Sequence, residues 1–574
     1  MPAGRYPGIQ RAAELGGAKM DNNVLYNQQI GMVPPQGMPQ PMYTQQAMTH
    51  RETDETKNMK GNFVFFGGVT LLYAVFYVIC MFRNDAGVAI LPFVVASVVY
   101  LNVAVKKLGL VMKKGGVFYV VAMLLLAVST FCTDDGRIIF FNKTGIFLLA
   151  LSLMINQFYD TKSWSIGMYF GNIIMTWFAS LGEMFQPLTD AANFFKKGNS
   201  RRNKNVLYVV LGVVIAVPLV VFVLVMLSSA DIVFREVSVS FVSGMDIEAV
   251  IEVVFRIAFM FFATYWLISF LCKRTLNTTV KDNRKGEPVL AITVNSMLTA
   301  VYLLFSGIQI VYLFMGQMKL PEGYTYAMYA REGFFQLLVV SAMNLVIVLI
   351  SISWFKESEI LKCVLTVMSL CTFVMIASSA YRMIMYIRYY YLTFLRILVL
   401  WALALLVVLF VGVIVSIFKK KFPLFRYSMV VVTVFYIALS FSHPDYIIAK
   451  VNIENATEII TATDRDNVLS GRGFFLSERR YKDYYYLSSL SADAAPVVIP
   501  YLEGLGYDVK AIYENESGEK ADYYDDYMEY GTPYGDDFGY LYIENLRYST
   551  ENLGIRTYNV SRHKAIRCIE EAAN

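Results

Sequence analysis

The segment ILVLWALALLVVLFVGVIVSIF, residues 397–418, contains no charged residue, and Lys419, Lys420 and Lys421 follow it directly. A helix needs roughly 20 mostly apolar residues to cross about 30 Å of hydrocarbon. The segment therefore predicts a membrane-spanning helix. The lysines predict that this helix ends on the cytoplasmic side, because Lys and Arg collect there.

Similar apolar runs recur along the chain, which has 574 residues, 56% of them hydrophobic and 17% charged, with a mean hydropathy of +0.48. This composition excludes a soluble enzyme of this size and makes the lipid bilayer the main partner of the chain. We predict an all-α polytopic membrane bundle of about 11 transmembrane helices, followed by a small C-terminal extramembrane domain of α or α+β type. The predicted spans are 63–82, 88–105, 116–133, 139–157, 206–227, 249–272, 289–316, 333–354, 363–381, 396–417 and 427–442.

The basic residues predict the orientation of this bundle in the cell (plasma) membrane. With the N-terminus in the cytoplasm, four clusters of Lys and Arg, at 106–114, 196–204, 273–285 and 419–426, all fall on the inner side. This parity requires the apolar segment near 164–185, which carries a polar stripe, to lie in the interface instead of crossing. An odd number of spans then places residues 443–574, which have an excess of acidic side chains, outside the cytoplasm.

The two ends of the chain differ from the bundle, which we assign to residues 61–442. Residues 1–60 are rich in Gln, Pro and Met and are predicted to form a disordered cytoplasmic tail, either a plain tether or a docking segment for a protein partner. The acidic domain 443–574 contains a Tyr- and Asp-rich insertion near 515–542. We interpret that insertion as a solvated loop, because its carboxylates match no calcium-binding spacing.

Motifs of known chemistry are missing from the sequence. It has no Walker A loop, HExxH pair, GxSxG elbow, CxxC pair or dinucleotide fingerprint, and its three histidines are far apart. We therefore predict no catalytic residue, no cofactor, no metal site and no nucleic-acid partner.

Polar residues in two places are candidates for function. Within the spans these are Glu252, Arg256 and Gln309, since ionisable groups at membrane depth are costly; the first two also form a self-neutralising pair one helical turn apart. At the outer rim, Arg and Tyr residues would dock the acidic domain, hold lipid phosphates or form a vestibule for an anionic ligand. The rim candidates are Tyr326, Tyr329, Arg331, Glu332, Arg382, Tyr386, Arg388, Arg396, His443 and Asp445.

Several longer motifs at these positions resemble a family of bacterial multi-spanning membrane proteins known as a domain of unknown function. The motifs are TYAMYAREGFFQL (325–337), SSAYRMIMYI with the following YLT and LR (378–396), HPDYIIAKVNIE (443–454), LSSLSADAAP (487–496) and YNVSR (558–562). The resemblance implies a similar bundle and outer domain from about residue 60 onward, and it implies no activity. The chain departs from the family where His443 stands for Asn, Tyr391 for Gly and Phe394 for a basic residue.

Three functions compete. The first is a non-enzymatic component of envelope signalling, scaffolding or assembly, in which the outer domain senses or docks a partner and the bundle relays it. The second is a secondary transporter of a small anionic or amphiphilic solute. Its path would use Arg331, Arg382 and Arg396 at the entry and Glu252, Arg256 and Gln309 further in.

The third function is a membrane enzyme that acts on lipid-linked substrates at the outer face, with Asp445, Asp493 or Glu332 as a general base. None of these carboxylates is paired at a recognisable spacing, and Asp493 also suits the start of a helix. We therefore favour the first function.

Overall fold

The computed structural model describes residues 53–159, 166–197, 223, 226–227, 230–231, 247–273, 286–311, 333–419, 422–455, 486–514, 538–551 and 553–572. All of them belong to the unit Glu52–Asn574. In these ranges the chain is helical and contains no strand beyond a single bridge between Gly286 and Phe355.

The helices follow one another with short connections in the first half of the bundle. They are α1 (Asp54–Gly61), α2 (Phe63–Met81), α3 (Ile90–Lys107), α4 (Val117–Cys132), α5 (Gly136–Phe158), α6 (Ile166–Ser180), α7 (Gln186–Lys197), α8 (Ile247–Lys273), α9 (Pro288–Gln309), α10 (Phe334–Trp354), α11 (Glu359–Tyr390), α12 (Phe394–Phe418), α13 (Leu424–Ser440), α14 (Pro444–Asn455), α15 (Ala495–Gly504), α16 (Val509–Glu514), α17 (Phe538–Thr550) and α18 (Val560–Ala572).

Nine of the described helices are long and apolar enough to cross a membrane, and α13 and α14 together make a tenth candidate that bends by 54°. The all-α polytopic bundle is therefore confirmed. The predicted span 427–442 falls on α13, and the predicted span 206–227 lies outside the described residues. Helix α6 is not one of the nine candidates; its place in the interface stays a prediction.

The predicted span 363–381 lies within α11, which runs from Glu359 to Tyr390. The Arg382 side chain is buried against neighbouring helices, so its charge does not end the helix.

The C-terminal residues pack on one end of the bundle. Four connections lie at this end, namely 82–89, 133–135, 391–393 and 441–443, and each contacts C-terminal residues or α14. The opposite end contains the α9 start and the α10 end, joined at Gly286 and Phe355. We call the described C-terminal residues, 486–514, 538–551 and 553–572, the cap.

The cap and the bundle share one hydrophobic core. Ile138, Leu392, Phe394 and Leu439 of the bundle pack in the same cluster as buried residues of α15, α17 and α18. Full burial of each such side chain contributes roughly 1.5–3 kcal/mol. The described part of the cap is helical; its independence as a domain stays a prediction.

Candidate functional site

A three-residue turn between α4 and α5 begins the site. Thr133, Asp134 and Asp135 fill this turn, and Asp135 caps α5 by accepting a hydrogen bond from the Arg137 amide at 2.9 Å. At the N-cap position, a carboxylate oxygen accepts a hydrogen bond from one of the backbone N–H groups that the first turn of the helix leaves unpaired. The Arg137 guanidinium then folds back on Asp135, with Nε 2.8 Å from Oδ1 and Nη2 2.9 Å from Oδ2.

Arg137 also binds the connection between α13 and α14. Its Nη2 donates to Oδ1 of Asp445, which is fully buried in the first turn of α14. The other Asp445 oxygen accepts from the Ser491 amide of the cap at 3.0 Å. A single arginine therefore links two buried carboxylates from different helices, and one of them reaches the cap.

Asp493 of the cap receives hydrogen bonds from the bundle. Its oxygens accept from Thr133 Oγ1 at 2.5 Å, from the Asp134 amide at 2.9 Å and from His443 Nδ1 at 3.2 Å. In return, Asp134 accepts from the Ala492 amide at 3.3 Å. The two turns thus exchange hydrogen bonds through their aspartates.

The start of α18 closes the site from the other side. Asn559 is fully buried and donates to the carbonyls of Ala86 and Thr133, at 3.0 and 2.8 Å. Its side-chain oxygen accepts from the Arg562 amide and so caps α18. Arg562 Nε then lies 2.6 Å from Asp134 Oδ1.

We call Asp134, Asp135, Asp445 and Asp493, with Arg137, Arg562 and His443, the carboxylate clamp. Burial raises the pKa of Asp134 although Arg562 opposes the shift. Burial also opposes ionisation of Asp493, but the hydrogen bonds from His443, from two hydroxyls and from a backbone amide lower the pKa of this carboxyl. The hydrogen bond to Asp493 raises the pKa of His443, against the effect of burial.

The clamp is suited to holding elements together. Each of its four carboxylates accepts hydrogen bonds from a backbone amide and from a charged or hydroxyl donor. A general base needs an oxygen free to take a substrate proton, and these oxygens are occupied. Within the described ranges, no group of three or more His, Cys, Asp and Glu side chains is placed to hold a metal ion.

The predicted rim residues fall into separate places. Arg382 is buried, and Gln309 Oε1 accepts from Ser378 Oγ at 2.6 Å and lies 3.5 Å from Arg382 Nη2. The Arg396 guanidinium stacks on the Tyr386 ring, 4.4 Å from its centroid. Arg388 is exposed, and Tyr326, Tyr329, Arg331 and Glu332 lie outside the described residues.

Two of the predicted intramembrane residues, Glu252 and Arg256, form an ion pair with each other. Arg256 Nε lies 2.7 Å from Glu252 Oε1 on α8, and both side chains are more than one-third exposed. Gln309 belongs to α9 and contacts Arg382. Its contacts do not join it to the Glu252–Arg256 pair.

Sequence reasoning found Asp445, His443 and Asp493 but missed their main partners. Thr133 ends the predicted span 116–133, and Asp134, Asp135 and Arg137 lie between it and the next predicted span, 139–157. Three charged residues in the five-residue stretch TDDGR, between two apolar spans, were an available signal. Asn559 and Arg562 lie in the YNVSR motif, and their contacts with the bundle were not predicted.

Comparison with known proteins identifies the family. The family model DUF4153, a domain of unknown function, matches residues 120–501. No curated protein and no solved structure matches the chain. The matched range contains all four aspartates of the clamp, and Arg562 lies beyond it. Because the match covers more than half of the chain, this protein belongs to the DUF4153 family.

Proposed function

We propose that this protein is a non-enzymatic component of envelope signalling, scaffolding or assembly, in which the cap docks or senses a partner and the bundle relays its state. The carboxylate clamp is the observation that carries this proposal. It joins the cap to two separate connections of the bundle, the α4–α5 turn and the α13–α14 bend.

The clamp favours a relay over a simple tether. Charge-assisted hydrogen bonds contribute roughly 1.5–3 kcal/mol each, and several of them must break together when the cap moves. A partner that shifts the cap would therefore also shift the ends of α4, α5 and α14. Coupling between distant surfaces requires an element with discrete states, and we assign this role to the clamp, with its hydrogen bonds made or broken together.

The basic residues support an extracytoplasmic cap. Lys113 donates to the carbonyls of Asn156 and Tyr159, and Lys273 pairs with Glu183 at 2.5 Å. These residues lie at helix ends opposite those that contact the cap. By the positive-inside rule, this end faces the cytoplasm and the cap faces outward across the plasma membrane.

Complementation of a deletion strain tests the proposal. A chain that ends at residue 442 should insert but fail to complement, although it also exposes Leu439 and its neighbours in the shared core. Gly87→Ala is a sharper variant, because a Cβ at this position would lie 2.5 Å from the Arg556 carbonyl oxygen and force the cap away. Gly136→Ala, at the same end of the bundle, meets no atom within 4 Å and is the matched control.

We expect Gly87→Ala to reach the membrane at a normal level but to fail to complement, and we expect Gly136→Ala to complement normally. Full complementation by the chain ending at residue 442 would exclude a function in the cap.

A transporter of a small anionic solute is the second candidate. Arg382 is buried near the end of a span and approaches Gln309 of another, and buried charges within spans often mark solute pathways. Solute-coupled flux in vesicles that contain the purified protein would support a transporter, provided that Arg382→Gln reduces this flux. Vesicles without any solute- or ion-coupled flux would count against it.

A further inference from the structure

Helix α9 has an unusual distribution of polar residues for a membrane span. Its buried residues are Ala291, Asn295, Thr299, Tyr302, Ser306 and Gln309, so every buried position after the first is polar. Their spacing of three and four residues places them on one face. The opposite face is apolar and exposed, as at Met297 and Leu304.

This polar face meets polar residues of α10 and α11. Asn295 Nδ2 lies 3.1 Å from Ser351 Oγ, and the Tyr302 hydroxyl donates to Asn344 Oδ1 at 2.9 Å. Asn344 in turn donates to Thr372 at 3.1 Å. We call the polar face of α9, with the α10 and α11 residues that it contacts, the polar seam.

The seam extends through much of the membrane. From Asn295 to Gln309 it covers 15 residues, whose 14 steps of about 1.5 Å each span about 21 Å. The hydrocarbon layer is about 30 Å thick. Helix α12 provides an internal comparison, because its buried residues are apolar throughout.

Two atoms of the seam decide between dry helix packing and a hydrated path. Amide and hydroxyl side chains often join membrane helices in pairs, and in dry packing every remaining polar atom needs a further partner within the protein. Here Ser306 Oγ and Asn295 Oδ1 have no hydrogen-bond partner among the described residues, although the two side chains are only 5% and 2% exposed. An unsatisfied buried group costs about 1–3 kcal/mol, and buried water is the usual partner of such groups.

We propose that the polar seam binds a file of water molecules and forms a hydrophilic path between α9, α10 and α11. The α9 side chains that line it are uncharged donors and acceptors, which suit water and small polar solutes. Gln309 ends the path next to Arg382. The water file is a property of the bundle and does not depend on the cap.

Cysteine labelling of the purified full-length protein tests the water file. The probe is methanethiosulfonate ethylsulfonate, a charged, water-soluble reagent that reacts with thiolates, and thiolates form poorly in apolar surroundings. Ser306→Cys reports on the seam. Val94→Cys is the dry, buried control on α3, because its apolar cluster contains no residue of α9, α10 or α11, and Leu304→Cys is the lipid-facing control on α9. Peptide-level mass spectrometry separates these sites from the six native cysteines.

We expect Ser306→Cys to react at least roughly tenfold faster than both controls, because only a hydrated thiol ionises readily. Equal rates at Ser306→Cys and Val94→Cys would overturn the proposal. Radiolytic hydroxyl labelling of the unmodified protein supplies a second measurement that needs no variant. Tyr302 should be oxidised well above Tyr265, a fully buried tyrosine on α8; oxidation no greater than at Tyr265 would also show a dry seam.

Discussion

Replacement of Arg562 by Gln is expected to weaken the attachment of the cap strongly. Arg562 Nε lies 2.6 Å from Asp134 Oδ1, and the two side chains are 22% and 6% exposed. Without the arginine, Asp134 keeps one hydrogen bond, from the Ala492 amide at 3.3 Å. A nearly buried carboxylate is then left without its counter-charge.

The size of the effect lies between two known limits. Breaking a fully buried ion pair costs about 3–5 kcal/mol, whereas an exposed pair contributes about 0.2–1 kcal/mol. Because Arg562 is partly exposed and Asp134 can take up a proton, we expect a loss of about 2 kcal/mol at pH 7, between these limits. Burial already raises the pKa of Asp134, and removal of Arg562 raises it further. The loss should therefore shrink as the pH falls toward 5 and the carboxyl becomes neutral.

Thermal unfolding in detergent, combined with the rate of tryptic cleavage in the cap, measures this loss. Arg567→Gln is the matched control, because Arg567 is exposed on the same helix. The double variant Asp134→Asn/Arg562→Gln removes both charges. We expect it to lose about 1–2 kcal/mol less stability than the sum of the losses in the two single variants. Equal losses for Arg562→Gln and Arg567→Gln, or additive losses in the double variant, would refute the role of this ion pair.

Two further variants test the pH response and the packing of the bundle. The raised pKa of His443 means that its contact with Asp493 stabilises the cap fully below pH 6.5 and is lost as the pH rises through the raised value. The apparent Tm should therefore fall between pH 6 and 8.5, by the equivalent of less than about 1 kcal/mol. His443→Asn should abolish this fall, and Asn tolerates the φ of 46° at this position. Gly412→Ala should destabilise the bundle by about 1–3 kcal/mol in thermal unfolding, because its Cβ would overlap the Tyr427 ring; Gly307→Ala, with no atom within 4 Å, should not destabilise it through a clash.

The spans could be predicted because hydrophobicity alone decides them. The predicted span 396–417 differs by two residues at its start and one at its end from α12, which runs from Phe394 to Phe418. Lipid surrounds most of such a helix, so its composition fixes its location without knowledge of its neighbours. Arg382 shows the limit of this reasoning, because its burial within the protein depends on other helices.

The clamp could be predicted only in part, because its members are far apart in sequence. Asp135, Asp493 and Asn559 each have the residue type of an ordinary helix start, and their local patterns give no sign of their partners. The Asp134–Arg562 contact joins residues 428 positions apart, and the Asp445–Arg137 contact joins residues 308 positions apart. Spacing rules within one motif do not reach such distances. Asp445 was found because it lies in a recognisable motif, and Arg137 was missed because it lies between two spans.

The positive φ angles at His443 and Tyr391 give a physical reason for the Asn and Gly that the resemblance implies at these positions in the family. His443 has a φ of 46°, which Asn also tolerates, and Tyr391 has a φ of 59° with extended ψ, a region that favours Gly. Both residues lie in connections beneath the cap. The chain thus uses a titratable ring and a buried aromatic ring where backbone preference alone favours Asn and Gly.

The clamp and the seam differ in how their buried polar atoms are satisfied. In the clamp, two arginines, a histidine and several backbone amides compensate four carboxylates, so its residues contribute to the attachment of the cap. In the seam, Ser306 and Asn295 each retain an atom without a hydrogen-bond partner among the residues that the structure describes. A bundle that served only to anchor the cap would be more stable with apolar residues at both positions, because burial of unsatisfied polar groups is unfavourable. Attachment of the cap therefore does not explain the polar face of α9, whereas a hydrophilic path through the bundle does.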